Sequence, residues 1–288
     1  MTPYPRRDVF DRIGRSIDLA RASFGVLRSD KELLIFPLVS FVALVVVTIG
    51  FAVPFVLMGG TPHTDQQVNP AAYVLAFVFY VVTYTVTFFF NTALVGAALI
   101  RLDGGHPTLR DGFRVAFSRL PQIIGYALIA ATVGMILRLI AERAAFVGQI
   151  VAGIIGLAWS VTTFLVVPVL AVEGVGPIEA IRRSGGLLRK TWGEQIVGNV
   201  GIGVVFGLAF IIVAFVGALL LVALAKVSGA AAVMAGIMVL MVLLGGIALI
   251  GSAVSGIYVA SVYRYATKGD GGAKFSPEVL SGSFRQRT

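Results

Sequence analysis

Long uninterrupted runs of apolar residues dominate the chain, and charged residues lie almost entirely in the segments between them. A helix needs about 20 apolar residues to cross roughly 30 Å of hydrocarbon, because each residue advances the helix by about 1.5 Å. Six runs meet this requirement, at residues 33–57, 71–100, 121–141, 145–172, 196–225 and 229–266. The runs do not alternate as barrel strands do. The pattern therefore predicts an all-α polytopic membrane protein whose six transmembrane helices form three hairpins.

The same pattern divides the chain into three parts. Residues 1–32 are predicted to be a cytoplasmic amphipathic segment, 33–266 the six-helix transmembrane domain, and 267–288 a flexible cytoplasmic tail rich in Gly and Ser. The sixth run is longer than a bilayer requires, so either it begins with a re-entrant turn or its end projects beyond the membrane. Interfacial tyrosines at its end favour a helix that stops near Ala266.

A short stretch with apolar residues at three- and four-residue intervals precedes each odd-numbered span, as expected for one face of a helix. These stretches lie at 10–27, 109–120 and 181–192. In the third stretch, Arg182, Arg183, Arg189 and Lys190 occupy the opposite face. We expect all three stretches to be amphipathic helices in the cytoplasmic membrane interface.

Two of these stretches are introduced by similar sequences, DGGHP at 103–107 and EGVGP at 173–177. An acidic residue followed by Gly and Pro is typical of a turn that leads into a helix, whose first turn accepts Pro. The recurrence predicts three parallel copies of one unit, an interfacial helix followed by a transmembrane hairpin.

The distribution of basic residues predicts the orientation. All but three of the 23 Lys and Arg residues flank the spans on one predicted side, the exceptions being Arg138, Arg143 and Lys226. The positive-inside rule places the rich side in the cytoplasm, with both termini, in a multi-pass protein of the inner (plasma) membrane. The net charge of +9 is then explained by anionic lipid headgroups, without nucleic acid. We expect headgroup contacts at Arg182, Arg183, Arg189 and Lys190, and we leave open a homo-oligomer or a membrane-protein partner.

Residues that could perform catalysis are scarce. The chain has no cysteine, no ionisable residue at a span centre, and two histidines, His63 and His106, on opposite predicted sides of the membrane. No hydrolase, nucleotide-binding or zinc motif stands in a suitable context. The sequence therefore predicts no enzyme, no catalytic residue, no metal and no cofactor.

Arg138 and Glu142 are four residues apart on one helix and are expected to pair.

Polar residues inside the spans have two interpretations. Asn91, Thr83 and Thr87 in the second span and Asn199 in the fifth either join neighbouring helices or line a substrate cavity. Small residues repeat every four positions at Gly203 and Gly207, and along the sixth span from Ala248 to Ala260. These seams predict close helix packing, or alternatively a homodimer face.

Several segments resemble an uncharacterised family of bacterial six-span integral membrane proteins, namely 24–27, 34–37, 166–174, 179–184 and 192–194. More distantly, the layout resembles the membrane-anchoring domain of glycerophosphodiester phosphodiesterases. The first resemblance implies a fold without an activity. We expect no phosphodiesterase catalytic domain in this chain, so the second transfers no hydrolase chemistry.

The sequence thus supports a non-enzymatic structural or accessory component that acts in the lipid environment. The alternative is a transporter or channel for an apolar or amphipathic solute, favoured by the repeats and by the polar residues of the second span. An open cavity beside Asn91 would favour transport, and tight packing there would count against it.

Overall fold

The computed structural model describes residues 21–57, 70–143, 145–192, 202–227 and 229–270, and these residues form helices joined by short turns, without a strand. Residues 21–29 form helix α1, and a 3₁₀ turn at Lys31–Leu34 follows it. The other helices are α2 (Ile35–Leu57), α3 (Pro70–Leu102), α4 (Leu109–Ser118), α5 (Leu120–Arg143), α6 (Ala145–Thr162), α7 (Val166–Glu173), α8 (Pro177–Trp192), α9 (Ile202–Val227) and α10 (Ala230–Lys268).

The six predicted spans are confirmed as helices long and apolar enough to cross a membrane. The first three spans are α2, α3 and α5. The fourth consists of α6 and α7, and the last two are α9 and α10. Helix α10 runs without a break for 39 residues, about 58 Å by rise alone, so a re-entrant turn at its start is excluded. It ends at Lys268, two residues beyond the predicted end.

The fourth span is interrupted, which the sequence analysis did not predict. Helix α6 stops at Thr162 and α7 begins at Val166. Pro168, in the first turn of α7, has no backbone N–H and disfavours a regular helix through the preceding turn. The two helices together still form one apolar segment that can cross a bilayer.

Three helices, α3, α7 and α10, contact one another and form the centre of the bundle. Each is the second arm of a predicted hairpin, and each is followed within two residues by a glycine with positive φ: Gly104 at 91°, Gly174 at 64° and Gly269 at 80°. A residue without Cβ adopts this left-handed conformation at the least cost, so glycine suits the end of a helix. The shared centre and the shared helix end agree with three copies of one unit.

The turns that follow Gly104 and Gly174 enter their helices differently. Pro177 is the first residue of α8, as predicted. Pro107 instead precedes the N-cap, because Thr108 caps α4. The Thr108 side chain accepts a hydrogen bond from the backbone N–H of Asp111, and the Asp111 carboxylate accepts one from the backbone N–H of Thr108. This reciprocal capping box satisfies two donors at the start of α4.

Buried apolar side chains concentrate at the end of the bundle where α1, α4 and α8 lie, which we call the basic face. Core residues there include Leu94 of α3, Leu170 of α7 and Ile257 of α10, each at most 1% exposed. A Cβ at Gly256 would lie 2.5 Å from Leu94 Cδ2, so α10 and α3 approach closely there.

The predicted seam along the sixth span is only partly right. Gly256 and Ala260 face neighbouring helices, whereas Ala248 and Ser252 are exposed. Gly207 of α9 has no atom within 4 Å of where a Cβ would stand, so it is not a close-packing position in the described part of the chain. The actual contact between α9 and α10 uses Gly217 against Leu240. Small residues spaced four positions apart therefore do not all lie on the buried face of α10.

Candidate functional site

Helix α8 carries the basic residues that the sequence singled out. Its buried side is made by Ala180, Ser184, Leu187 and Leu188. Arg182, Arg183 and Arg189 are exposed on its other side. The Lys190 side chain lies outside the described residues. The described arginines therefore project from the basic face while the helix is held to the bundle by its apolar side.

Two of these arginines have carboxylate partners. Arg182 Nη1 lies 3.1 Å from the Glu179 carboxylate, and Arg183 Nε lies 3.2 Å from that of Glu173. The Tyr263 hydroxyl of α10 donates a further hydrogen bond of 3.1 Å to Glu173. Arg182 is 77% exposed and Arg183 is 52% exposed, so both pairs are open to solvent and weak. Neither pair prevents the guanidinium from contacting an external anion.

Ser184 joins α8 to the interruption of the fourth span. Its hydroxyl donates a 2.6 Å hydrogen bond to the Thr162 carbonyl and accepts one of 3.0 Å from the Leu165 N–H. These are backbone groups near the junction of α6 and α7, and Ser184 is fully buried. One side chain thus replaces helical hydrogen bonds lost at the interruption. The serine stood in the predicted apolar stripe, but no local signal in the sequence links it to backbone groups 19 and 22 positions earlier.

An ionic cluster links the ends of the central helices at the basic face. Asp103, at the end of α3, pairs with Arg264 and with Lys268 of α10, the latter at 2.9 Å. Arg264 Nε also lies 2.6 Å from Asp270, and its side chain is only 14% exposed. Arg101 pairs with Asp30 at 2.7 Å. Basic residues near helix ends here join elements of the bundle, so not every cation of the basic face is available to lipid.

The polar residues of the second span lie on α3, and their hydrogen bonds are mostly local. The Thr87 hydroxyl donates to the Thr83 carbonyl at 2.8 Å. The Thr83 hydroxyl oxygen is buried and has no partner among the described residues. Asn91 is half-buried and directly precedes the buried run at 92–98. Asn199 lies outside the described residues. Neither of two cavities described below is lined by Thr83, Thr87 or Asn91.

A row of aromatic rings on α3 was missed at the sequence level. Tyr80, Tyr84 and Phe88 recur every four residues and stack with ring centroids 6.5 and 5.6 Å apart. Phe88 also packs on Tyr126 of α5, at 4.6 Å between centroids. Four-residue spacing puts these side chains on one helix face and could have revealed the row. The row connects the basic-face core to the opposite half of the bundle.

Arg138 lies at the end of this row that is away from the basic face. Its Nε lies 2.7 Å from Glu142 Oε1, which confirms the predicted pair. Its Nη1 also donates a 2.8 Å hydrogen bond to the Tyr80 hydroxyl, a contact between α5 and α3 that the sequence analysis missed. The second contact ties together two residues 58 positions apart.

The histidines give no metal site in the part of the chain that the structure describes. His106 Nδ1 lies 3.2 Å from Arg101 Nη1, and His63 is outside the described residues. Among the described His, Asp and Glu side chains, no group of three is arranged to hold a metal ion.

The fold and these sites define an all-helical, multi-pass membrane protein. The chain belongs to the DUF6159 family, a family of unknown function, whose model matches residues 70–273. The match begins at α3 and includes every later helix. The resemblance to a family of unknown function is confirmed within residues 70–273, whereas the resembling segments at 24–27 and 34–37 lie outside the match. The family brings no activity with it. No curated protein matches the chain.

Proposed function

We propose that this protein is a non-enzymatic structural or accessory component of the bacterial inner (plasma) membrane, with its basic face and both termini in the cytoplasm. The observation that carries the proposal is α8, whose apolar side packs on the bundle while Arg182, Arg183 and Arg189 project outward. A basic residue close to an anionic leaflet contributes about 1 kcal/mol of attraction. The face is thus suited to anionic headgroups.

The proposed lipid contact is tested by a label on α8. Because the chain has no cysteine, Gly186→Cys gives a single attachment point for a polarity-sensitive fluorophore, and a Cβ there meets no atom within 4 Å. In nanodiscs, phosphatidylglycerol should shift the emission to shorter wavelength than phosphatidylcholine does, and added salt should reverse the shift.

The double variant Arg182→Gln/Arg189→Gln should lose most of this lipid-dependent shift. Lys226→Gln is the matched control, since Lys226 is an exposed cation at the opposite end of the bundle, and it should leave the shift unchanged. Equal emission in the two lipids, with wild-type arginines, would overturn the proposed headgroup contact.

The orientation is tested with single cysteines at Thr2, His63 and Thr288 and a membrane-impermeant maleimide applied to intact spheroplasts. Only the His63→Cys protein should react before lysis, and all three after lysis. Reaction of either terminus before lysis contradicts the proposed orientation. Release of a product from phospholipid by the purified protein, lost on mutation of one side chain, would refute the non-enzymatic role.

Transport of an apolar or amphipathic solute is the second candidate function. It is favoured by the Thr83 hydroxyl, which is buried and has no partner among the described residues, because such a group is costly unless a further partner reaches it. Proteoliposomes loaded with fluorescent fatty acid should then release it faster than protein-free vesicles, and Thr83→Val should abolish the difference. Release equal to that of protein-free vesicles removes this candidate.

A further inference from the structure

The half of the bundle opposite the basic face contains a cavity of about 280 Å³ between α2 and α3. Its walls are mostly apolar and include Phe51, Ala52, Ala76 and Phe79, and Arg138 also lines it. Drug-sized ligands occupy sites of about 300–1,000 Å³. The cavity therefore suits part of one acyl chain and is too small for a complete two-chain lipid.

The depth of this cavity follows from helix α3. Arg101 lies at the end of α3 beside the basic face, 21 positions after Tyr80. This separation corresponds to about 32 Å of helix, close to the thickness of the hydrocarbon layer. Tyr80 and the Arg138 that bonds it consequently lie near the far hydrocarbon boundary, where headgroups begin. The cavity is therefore at the depth of the lipid acyl chains, and Arg138 is at the depth of the headgroups.

Arg138 is the charged residue that lines the cavity. Nε of Arg138 bonds Glu142 and Nη1 bonds Tyr80, which leaves Nη2 without a partner among the described residues. The side chain is 63% exposed and held in place by these two contacts. A guanidinium held in this way binds phosphate well, because its donors lie in one plane.

We propose that this cavity holds one acyl chain of an anionic phospholipid from the leaflet opposite the basic face, with the lipid phosphate on Arg138. The site is separate from the arginines of α8 and requires only that the six helices cross a bilayer. It can therefore exist whether or not the basic face binds headgroups.

A second cavity provides an internal comparison. It measures about 550 Å³, lies between α9 and α10, and is lined by Leu, Val, Ala and Gly only. Ala223 lines this cavity as Ala52 lines the first. Acyl chains can enter both, but only the first has a charged group that distinguishes one headgroup from another.

The experiment uses the full chain with a single cysteine at Ala52 or at Ala223, labelled with bimane, in nanodiscs of phosphatidylcholine. Brominated phosphatidylglycerol or brominated phosphatidylcholine is then added, since bromine quenches bimane only at short range. At Ala52 the anionic lipid should quench at about threefold lower mole fraction than the neutral one, because an exposed ion pair is weak. At Ala223 the two lipids should quench equally.

Two further variants in the Ala52→Cys protein test the role of the charge. Arg138→Gln should abolish the anionic preference, and Glu142→Gln, which releases Nε for the phosphate, should increase it. Ala76→Phe fills the cavity and should reduce quenching by both lipids. Equal quenching by both lipids at Ala52, or a preference that persists in Arg138→Gln, would overturn the proposal. The Glu142→Gln result keeps the test decisive if Arg138→Gln fails to fold.

Discussion

The two halves of this bundle are held together by different means. Near the basic face, α3, α7 and α10 bury large side chains, and hydrogen bonds and ion pairs cross between helices. In the opposite half, α9 contacts mainly α10, and its side chains from Phe215 to Val222 are largely exposed. Lipid tails are as apolar as leucine, so exposed apolar residues there are not driven into a core. Specific packing is therefore concentrated in one half, and the other half presents its surface to lipid.

The largest expected effect is a leucine truncation in each half. Leu170→Ala, at a fully buried position of α7, should lower the free energy of unfolding by about 2–5 kcal/mol, because the cavity left behind loses packing contacts. Leu219→Ala, at a position of α9 that is 56% exposed, should change it by less than about 0.5 kcal/mol. Unfolding in mixed micelles with increasing SDS measures both. Equal losses would show that the halves are equally packed.

A glycine pair sharpens the same comparison. A Cβ at Gly112 of α4 would lie 2.5 Å from the Phe36 ring and 2.7 Å from the Ala93 carbonyl oxygen. Gly112→Ala should therefore cost about 1–3 kcal/mol by overpacking. A Cβ at Gly153 of α6 meets no atom within 4 Å, so Gly153→Ala should be neutral or stabilise the helix by up to about 1 kcal/mol. A stability loss at Gly153 as large as that at Gly112 contradicts the close approach described here.

The serine pair tests the interrupted span. Ser184→Ala leaves the Thr162 carbonyl and the Leu165 N–H without their shared partner and should cost about 1–2 kcal/mol. Ser160→Ala removes a hydroxyl that bonds only the Gly156 carbonyl of its own helix, and its effect should be close to zero. Hydrogen exchange should become faster at Leu165 in the Ser184 variant alone. Unchanged exchange there would mean that Ser184 does not protect the break.

The smallest effect concerns pH and the capping box of α4. Hydrogen bonds from the Thr108 side chain and backbone, with smaller contributions from nearby Arg114 and Arg110, lower the pKa of Asp111 below its ordinary value of 3.8. A carboxylate whose pKa is lower in the folded state stabilises that state above its unfolded pKa, and the contribution is lost as the pH falls through the folded pKa.

The melting temperature at several pH values measures this contribution. Thr108→Ala should melt below the wild type at pH 7, and the difference should shrink as the pH falls below about 4. Thr132→Ala is the control, since its hydroxyl bonds the Leu128 carbonyl and no carboxylate, and its effect should not depend on pH. A Thr108 effect that stays constant with pH would show that Asp111 charge does not contribute.

Local spacing predicted several parts of the candidate sites and missed others. The exposed arginines of α8 and the Arg138–Glu142 pair lie within one helix each, where positions three or four apart share a face. The hydrogen bond of Arg138 to Tyr80 depends on α5 standing beside α3, and so was not predictable. The close packing predicted for the small residues of α10 is absent at Ala248 and Ser252, which are exposed. Neighbouring helices, rather than the spacing of small residues, determine which face of α10 is buried.

By itself the sequence determined that six helices can cross a bilayer and that they are joined as an all-helical protein, because span length and apolar character depend only on adjacent residues. The tertiary structure decided where the fourth span breaks and which serine satisfies the backbone there. It also decided that Asp103 pairs with Arg264, 161 residues away, and that a cavity opens between α2 and α3 beside Arg138. Such contacts join distant parts of the chain, so they exist only once the helices have packed.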